Sequence, residues 1–158
     1  MKSVPETKAL RIKKNLLGCP YFQGVSDKVI KEMAKFFREI SFSKGSMILK
    51  EDSRARRLFI LLEGTVSLST RRSAGEIVIE IVRKKGSLFG WSALVPPKKY
   101  TATAKALEHA RALAIQGKEM EFLLKRHPSF GLLFFQKLSS LIATRLYHTR
   151  SLLADTMA

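Results

Sequence analysis

One cysteine, Cys19, is found among 158 residues. A lone thiol cannot close an intramolecular disulfide, so a small secreted scaffold held by bridges is excluded and a reducing cytoplasm is expected. No uncharged apolar run comes near the ~20 residues needed to cross a bilayer, so no membrane insertion is expected. The N-terminus lacks the apolar core of a secretory signal. Acidic side chains are scarce: 13 Asp and Glu stand against 29 Lys and Arg, for a net charge of +16. Enzyme signatures are missing as well. There is no Gly-rich phosphate loop ending in Lys-Ser or Lys-Thr, and no shielded pair of carboxylates. His109, His127 and His148 fall in different expected elements, and none has metal-type spacing to Cys19 or to an acidic cluster. Neither catalysis nor a bound metal or cofactor is expected.

What is present reads as one folded domain. Apolar residues make up 46% and charged residues 27%, well away from the composition of disordered chains. The positive excess is distributed: +7 over residues 1–50, +5 over 51–100 and +4 over 101–158. No basic tail marks a nucleic-acid arm. Short clusters such as Arg54/Arg56/Arg57 and Arg83/Lys84/Lys85 read as solvated surface. At this charge, non-specific binding of nucleic acid at low salt is expected whatever the role.

Apolar periodicity sets the element order. Glu6 to Leu17 carries a helical stripe of Ala9, Leu10, Ile12, Leu16 and Leu17, closed by Gly18 and Pro20. Ser26 is an N-cap with Asp27 in the first turn, for a helix through about Phe37. From Ile40 the period changes to two. Seven or eight short strands follow, including Leu58–Leu62 and Ile77–Val82, with Ser73-Ala74-Gly75 as a hairpin turn. This predicts a mainly β fold, a roll or sandwich with flanking helices. Gly117 closes the sheet region, Lys118–Arg126 is a short helix, and Pro128 opens a long one from about Ser129 to Leu153. Phe130, Phe134, Leu138, Leu141, Leu146 and Leu152/Leu153 give that helix a seam suited to a partner helix or to its own sheet. The expected organisation is an N-terminal helical segment (1–20), a β-roll (21–127) and a C-terminal helix (128–158).

The segment Gly86–Ala102 carries the functional expectation. Gly90 permits close backbone approach or a left-handed dihedral. Ser92-Ala93-Leu94 can form one helical turn with free N–H groups, and Pro96-Pro97 stops it. Lys98 and Lys99 add two positive charges. A plain β-to-β connection is the alternative reading of these residues.

At this point the chain resembles the cyclic nucleotide-binding domain family, over roughly residues 16–153. Phe22-Gln23-Gly24-Val25-Ser26 is similar to the lead into the family's first domain helix. Phe42-Ser43-Lys44-Gly45-Ser46-Met47-Ile48 resembles its strand–glycine–strand turn. Leu58 to Leu68, with Glu63-Gly64 between the strands, resembles its most recognisable strand pair. Phe89-Gly90 opens its phosphate-binding cassette, here residues 86–103. The resemblance implies a cyclic-nucleotide-binding-like β-roll, of the double-stranded β-helix or jelly-roll type, with N-terminal helices and a long C-terminal helix. Two positions depart from the family pattern. Trp91 stands where the Glu that accepts the ribose 2′-hydroxyl is usual, and an indole accepts no hydrogen bond. Tyr100 stands where the Arg that pairs with the cyclic phosphate is usual, which removes a bidentate charged contact.

The remaining cassette implies a site made of Gly90, Trp91, Ser92, Ala93, Tyr100 and Thr101. Gly90, Ser92 and Ala93 supply backbone donors, and Thr101 matches the small hydroxyl residue at the phosphate. Lys98 and Lys99 are expected to replace the lost charge. Arg145-Leu146 resembles the family's Arg-Leu, which places Thr149 at the base. The expected ligand is a cyclic nucleotide (cAMP or cGMP) or another small anion. Expected partners are a second copy, paired through the C-terminal helix, or another protein. The chain ends soon after that helix, without a helix-turn-helix segment, so its signal is expected to pass to another chain or to its own oligomer. A ligand-free scaffold and a basic nucleic-acid-binding protein are the alternatives.

Overall fold

The computed structural model describes residues 5–158; the first four residues of the expected 1–20 segment lie outside the described residues. Helix α1 (Lys8–Leu17) starts at Thr7, whose hydroxyl accepts from the Leu10 N–H. Helix α2 (Asp27–Ala34) starts at Ser26, capped in the same way by the Val29 N–H. It stops three residues short of the expected Phe37, because Phe36-Phe37 turn the chain into the first strand and Phe37 is fully buried there.

Eight strands follow: β1 (Arg38–Phe42), β2 (Met47–Leu49), β3 (Arg57–Glu63), β4 (Val66–Arg72), β5 (Gly75–Val82), β6 (Leu88–Phe89), β7 (Thr103–Ala106) and β8 (Ala110–Gln116). They form two four-stranded antiparallel sheets, in the orders β1-β8-β3-β6 and β2-β7-β4-β5. Helix α3 (Gly117–Arg126) and helix α4 (Pro128–Met157) complete the chain. Among the described residues, no helix is long and apolar enough to cross a membrane.

Strand β3 explains the layering. Leu58 to Leu62 are all buried, and the strand's alternation divides them between two cores. Leu58, Ile60 and Leu62 join Leu113 and Ile115 of β8 under the helices, against Leu16, Ile30, Met33, Phe37, Phe130 and Phe134. Phe59 and Leu61 point between the sheets, among Phe89, Tyr100 and the alanines 104, 106, 110, 112 and 114. The small alanines let the sheets close on Phe59 and Phe89, whose rings stack with centroids 5.2 Å apart. Each large apolar side chain so buried contributes about 1.5–3 kcal/mol. At Gly64, between β3 and β4, φ is +91° and an added Cβ would lie 2.5 Å from the His109 carbonyl oxygen. Only glycine fits both conditions.

The expected seam of the long helix divides: its first half packs on its own domain, while Leu146, Leu152 and Leu153 are exposed. Phe130, Phe134 and Leu138 are buried in their own domain, and Leu141 packs beside them. They are anchors of α4, not a free partner face. The helix also runs to Met157, four residues past the expected Leu153, since nothing from Ala154 onward breaks it.

Candidate functional site

The segment expected to be the cassette folds as a tight turn after β6. Gly90 takes a left-handed conformation (φ 77°, ψ 22°) and starts a 3₁₀ turn over Trp91–Leu94. A Cβ at Gly90 would meet the Arg57 carbonyl oxygen at 3.1 Å, so the turn is pressed onto β3. A cavity of about 230 Å³ lies between this turn, the second sheet and the outer half of α4. Gly90, Trp91, Ser92, Tyr100, Thr101 and Thr149 line it, together with Glu80 of β5 and Arg145 of α4. Six of the nine residues expected in the site are thus brought together.

The other three are not. Ala93 is 1% exposed and lies on the far side of the turn, in the inter-sheet core. Lys98 and Lys99 do not line the cavity. The chain reverses after Pro96-Pro97, with Lys98 in a left-handed conformation (φ 57°). The Lys98 ammonium is paired with Glu121 of α3, and Lys99 bridges the backbone at Arg54. Neither lysine replaces the missing arginine. Tyr100 has a different employment from the one expected: its hydroxyl donates to the Arg57 carbonyl at 2.7 Å and accepts from the Arg57 N–H at 3.2 Å. The phenol staples the cassette's exit to β3, and its polar end is spent there.

The charge in the cavity comes instead from α4. The Arg145 guanidinium lies over the Trp91 ring, 4.2 Å from its centroid, and Arg145 Nε is 2.5 Å from Glu80 Oε2. Nε is buried without a hydrogen bond of good angle, so the contact with Glu80 is ionic more than directional. Burial lowers the Arg145 pKa from its ordinary value, opposed by the Glu80 charge. A stacked cation in this setting gains on the order of 1–2 kcal/mol from the ring face. Sequence reasoning passed over Glu80. Its signal was a single carboxylate inside the apolar run Ile77–Val82. Arg145 was noted only as a register mark for Thr149.

A β-roll with a helix-capped cavity beside a Gly-started turn defines a sensor-domain architecture. Residues 39–127 match the cyclic nucleotide-binding domain family, and the chain belongs to that family. A solved structure of a candidate cyclic nucleotide-binding protein from Geobacter metallireducens is 30% identical, with a TM-score of 0.74, covering 85% of this chain and 97% of that one. The CRP-like cAMP-activated global transcriptional regulator of Mycobacterium tuberculosis is 24% identical over 134 residues, which is 85% of this chain. The global nitrogen regulator of Synechocystis is 32% identical over 104 residues, or 65% of this chain. The chain spans 58% and 46% of the length of these two regulators.

Proposed function

We propose that this chain is a non-catalytic cytoplasmic sensor domain that binds a cyclic nucleotide or another compact anion in the cavity between the cassette and α4. The observation that carries this reading is the half-buried Arg145 guanidinium, held between Glu80 and Trp91 on the cavity wall. It restores to the site the positive charge that Tyr100 does not supply, and it does so from the helix. An anion in the cavity competes with Glu80 for Arg145 and changes the guanidinium's seat on Trp91. Because Arg145 belongs to α4, the ligand's contact is also a pull on that helix, which biases its position. The cavity, about 230 Å³, is below the ~300–1,000 Å³ common for ligand pockets.

Trp91 is the only tryptophan, so its fluorescence reports this site alone. The test is a titration with cAMP and with cGMP, with linear AMP correcting for absorbance. A saturable change specific to a cyclic nucleotide is expected, and Arg145→Gln should weaken binding by ~10-fold or more, the loss of a charged contact worth about 1.5–3 kcal/mol. No change with either cyclic nucleotide or with inorganic phosphate up to ~1 mM, a binding energy weaker than about −4 kcal/mol, would overturn the reading. It would leave a ligand-free scaffold whose cavity is filled by its own arginine.

A further inference from the structure

The 3₁₀ turn separates two hollows. Gly90 to Ser92 line the first, and Ala93 lines a second of about 310 Å³. Four cationic side chains surround the second: Arg54, Arg56, Lys98 and Lys118. They come from three separate segments, the loop before β3, the loop after the cassette and the start of α3. No acidic residue lines the hollow. Lys98 has Glu121 as its partner; among the described residues, no carboxylate lies within ion-pair distance of Arg54, Arg56 or Lys118.

The backbone beneath these charges is fixed. The Ala55 N–H donates to the Lys98 carbonyl at 2.8 Å, and the Gly117 N–H donates to the Arg56 carbonyl at 2.7 Å. At Gly117 an added Cβ would lie 2.5 Å from the Ala93 carbonyl oxygen. The three segments are therefore in close contact along their main chains, and the floor is made of Ala55, Ala93 and Gly117. Glu121 neutralises Lys98, and the exposed Arg54, Arg56 and Lys118 share this scaffold without a carboxylate partner, an arrangement that attracts an anion. The lining has no aromatic ring and no large aliphatic side chain. It offers nothing for a base to stack on, which single-strand nucleic-acid grooves require. It offers two guanidinium forks and the free Lys118 ammonium, the donors that suit phosphate oxygens.

We propose that this hollow is a second anion site, for a run of two or three phosphate groups: inorganic tripolyphosphate or the phosphate tail of a nucleoside triphosphate. The site is separate from the Arg145 cavity and does not depend on what fills that cavity. Calorimetric titration of the full chain at ~0.15 M salt, where surface charges are screened beyond ~8 Å, tests it with tripolyphosphate and with ATP. Saturable binding of tripolyphosphate is expected. ATP of similar affinity assigns the recognition to phosphate alone, whereas ATP binding without tripolyphosphate binding would overturn the proposal. The double variant Arg54→Gln/Arg56→Gln should lose ~10-fold or more in affinity, as expected for lost charged contacts, with its circular dichroism unchanged. Arg145→Gln should keep tripolyphosphate binding. Three results would each overturn the proposal: no binding up to ~1 mM, an unaffected double variant, or loss of binding in Arg145→Gln. A short DNA duplex that binds more tightly than tripolyphosphate at the same salt, and is lost in the double variant, would also overturn it, in favour of a nucleic-acid backbone.

Discussion

At the scale of single residues, the informative positions are those whose polar ends are already occupied. Tyr100 stands where the family's phosphate-pairing Arg is usual, and its hydroxyl closes two hydrogen bonds on Arg57. Cys19 is another such case. It is 1% exposed, and its thiol donates to the Gly86 carbonyl at 3.6 Å. Burial raises its pKa from 9.0 to about 11. Two pH units mean roughly 100-fold less thiolate, and the thiolate is the nucleophile. Cys19 should therefore react with Ellman's reagent at least ~10²-fold more slowly in the native protein than in denaturant at pH 8. Comparable rates in the two states would show that the α1 end opens freely.

At the scale of elements, side chains that tie one strand to another carry a pH signature. Glu51, just after β2, accepts from the Thr70 hydroxyl at 2.6 Å and from the Arg71 N–H at 2.9 Å, both on β4. These bonds to the ionised carboxylate hold its pKa below the ordinary 4.5, with the Arg72 charge adding to them. A depressed folded pKa gives stability that is complete above the unfolded value and is lost as pH falls through the folded one. Glu51→Gln should therefore lower the thermal midpoint at pH 7, and the gap from the wild type should shrink as pH falls below the unfolded carboxylate value of about 4.3. A gap that stays constant down to pH 3 would place the effect in packing rather than in ionisation.

The same scale shows how much the sequence disclosed. Caps, glycine turns and the change of period at Ile40 placed nearly every element, because these signals act within a few residues. Helix α2 is shorter than its apolar period, since Phe36 and Phe37 continue that period while serving a different layer. The cassette was legible through Phe89-Gly90. Its charge partner was not: Glu80 and Arg145 meet across 65 positions, and nothing in either segment announces the other. Lys98 and Lys99 were misplaced for a related reason. Their proximity in sequence to Thr101 said nothing about a chain reversal that sends Lys98 to Glu121 on α3.

At the scale of the whole molecule, two elements that border the cavity, β5 and α4, carry exposed apolar side chains. On β5, an edge strand with one side unpaired, Ile77, Val78 and Ile79 are about half exposed. On α4, Leu132, Phe135, Ile142, Leu146 and Leu153 are exposed and fall in steps of three and four when Ser139 and Thr149 are counted. That is the spacing of a two-helix seam, turned away from the buried row Phe130, Phe134 and Leu138. Ile79 and Leu152 line the cavity itself, so whatever covers this face also reaches the cavity's lining. A second copy, pairing stripe on stripe about a two-fold axis, is the expected occupant. Sedimentation of the wild type should give a dimer, and Leu146→Asp/Leu153→Asp should give a folded monomer. The linkage is reciprocal: if pairing shields the cavity, the monomeric variant must bind its ligand with altered affinity, and ligand must shift the wild-type dimer constant by the same factor. A wild-type monomer, or a dimer indifferent to both aspartates, would move the contact off α4 and leave the cavity open to solvent.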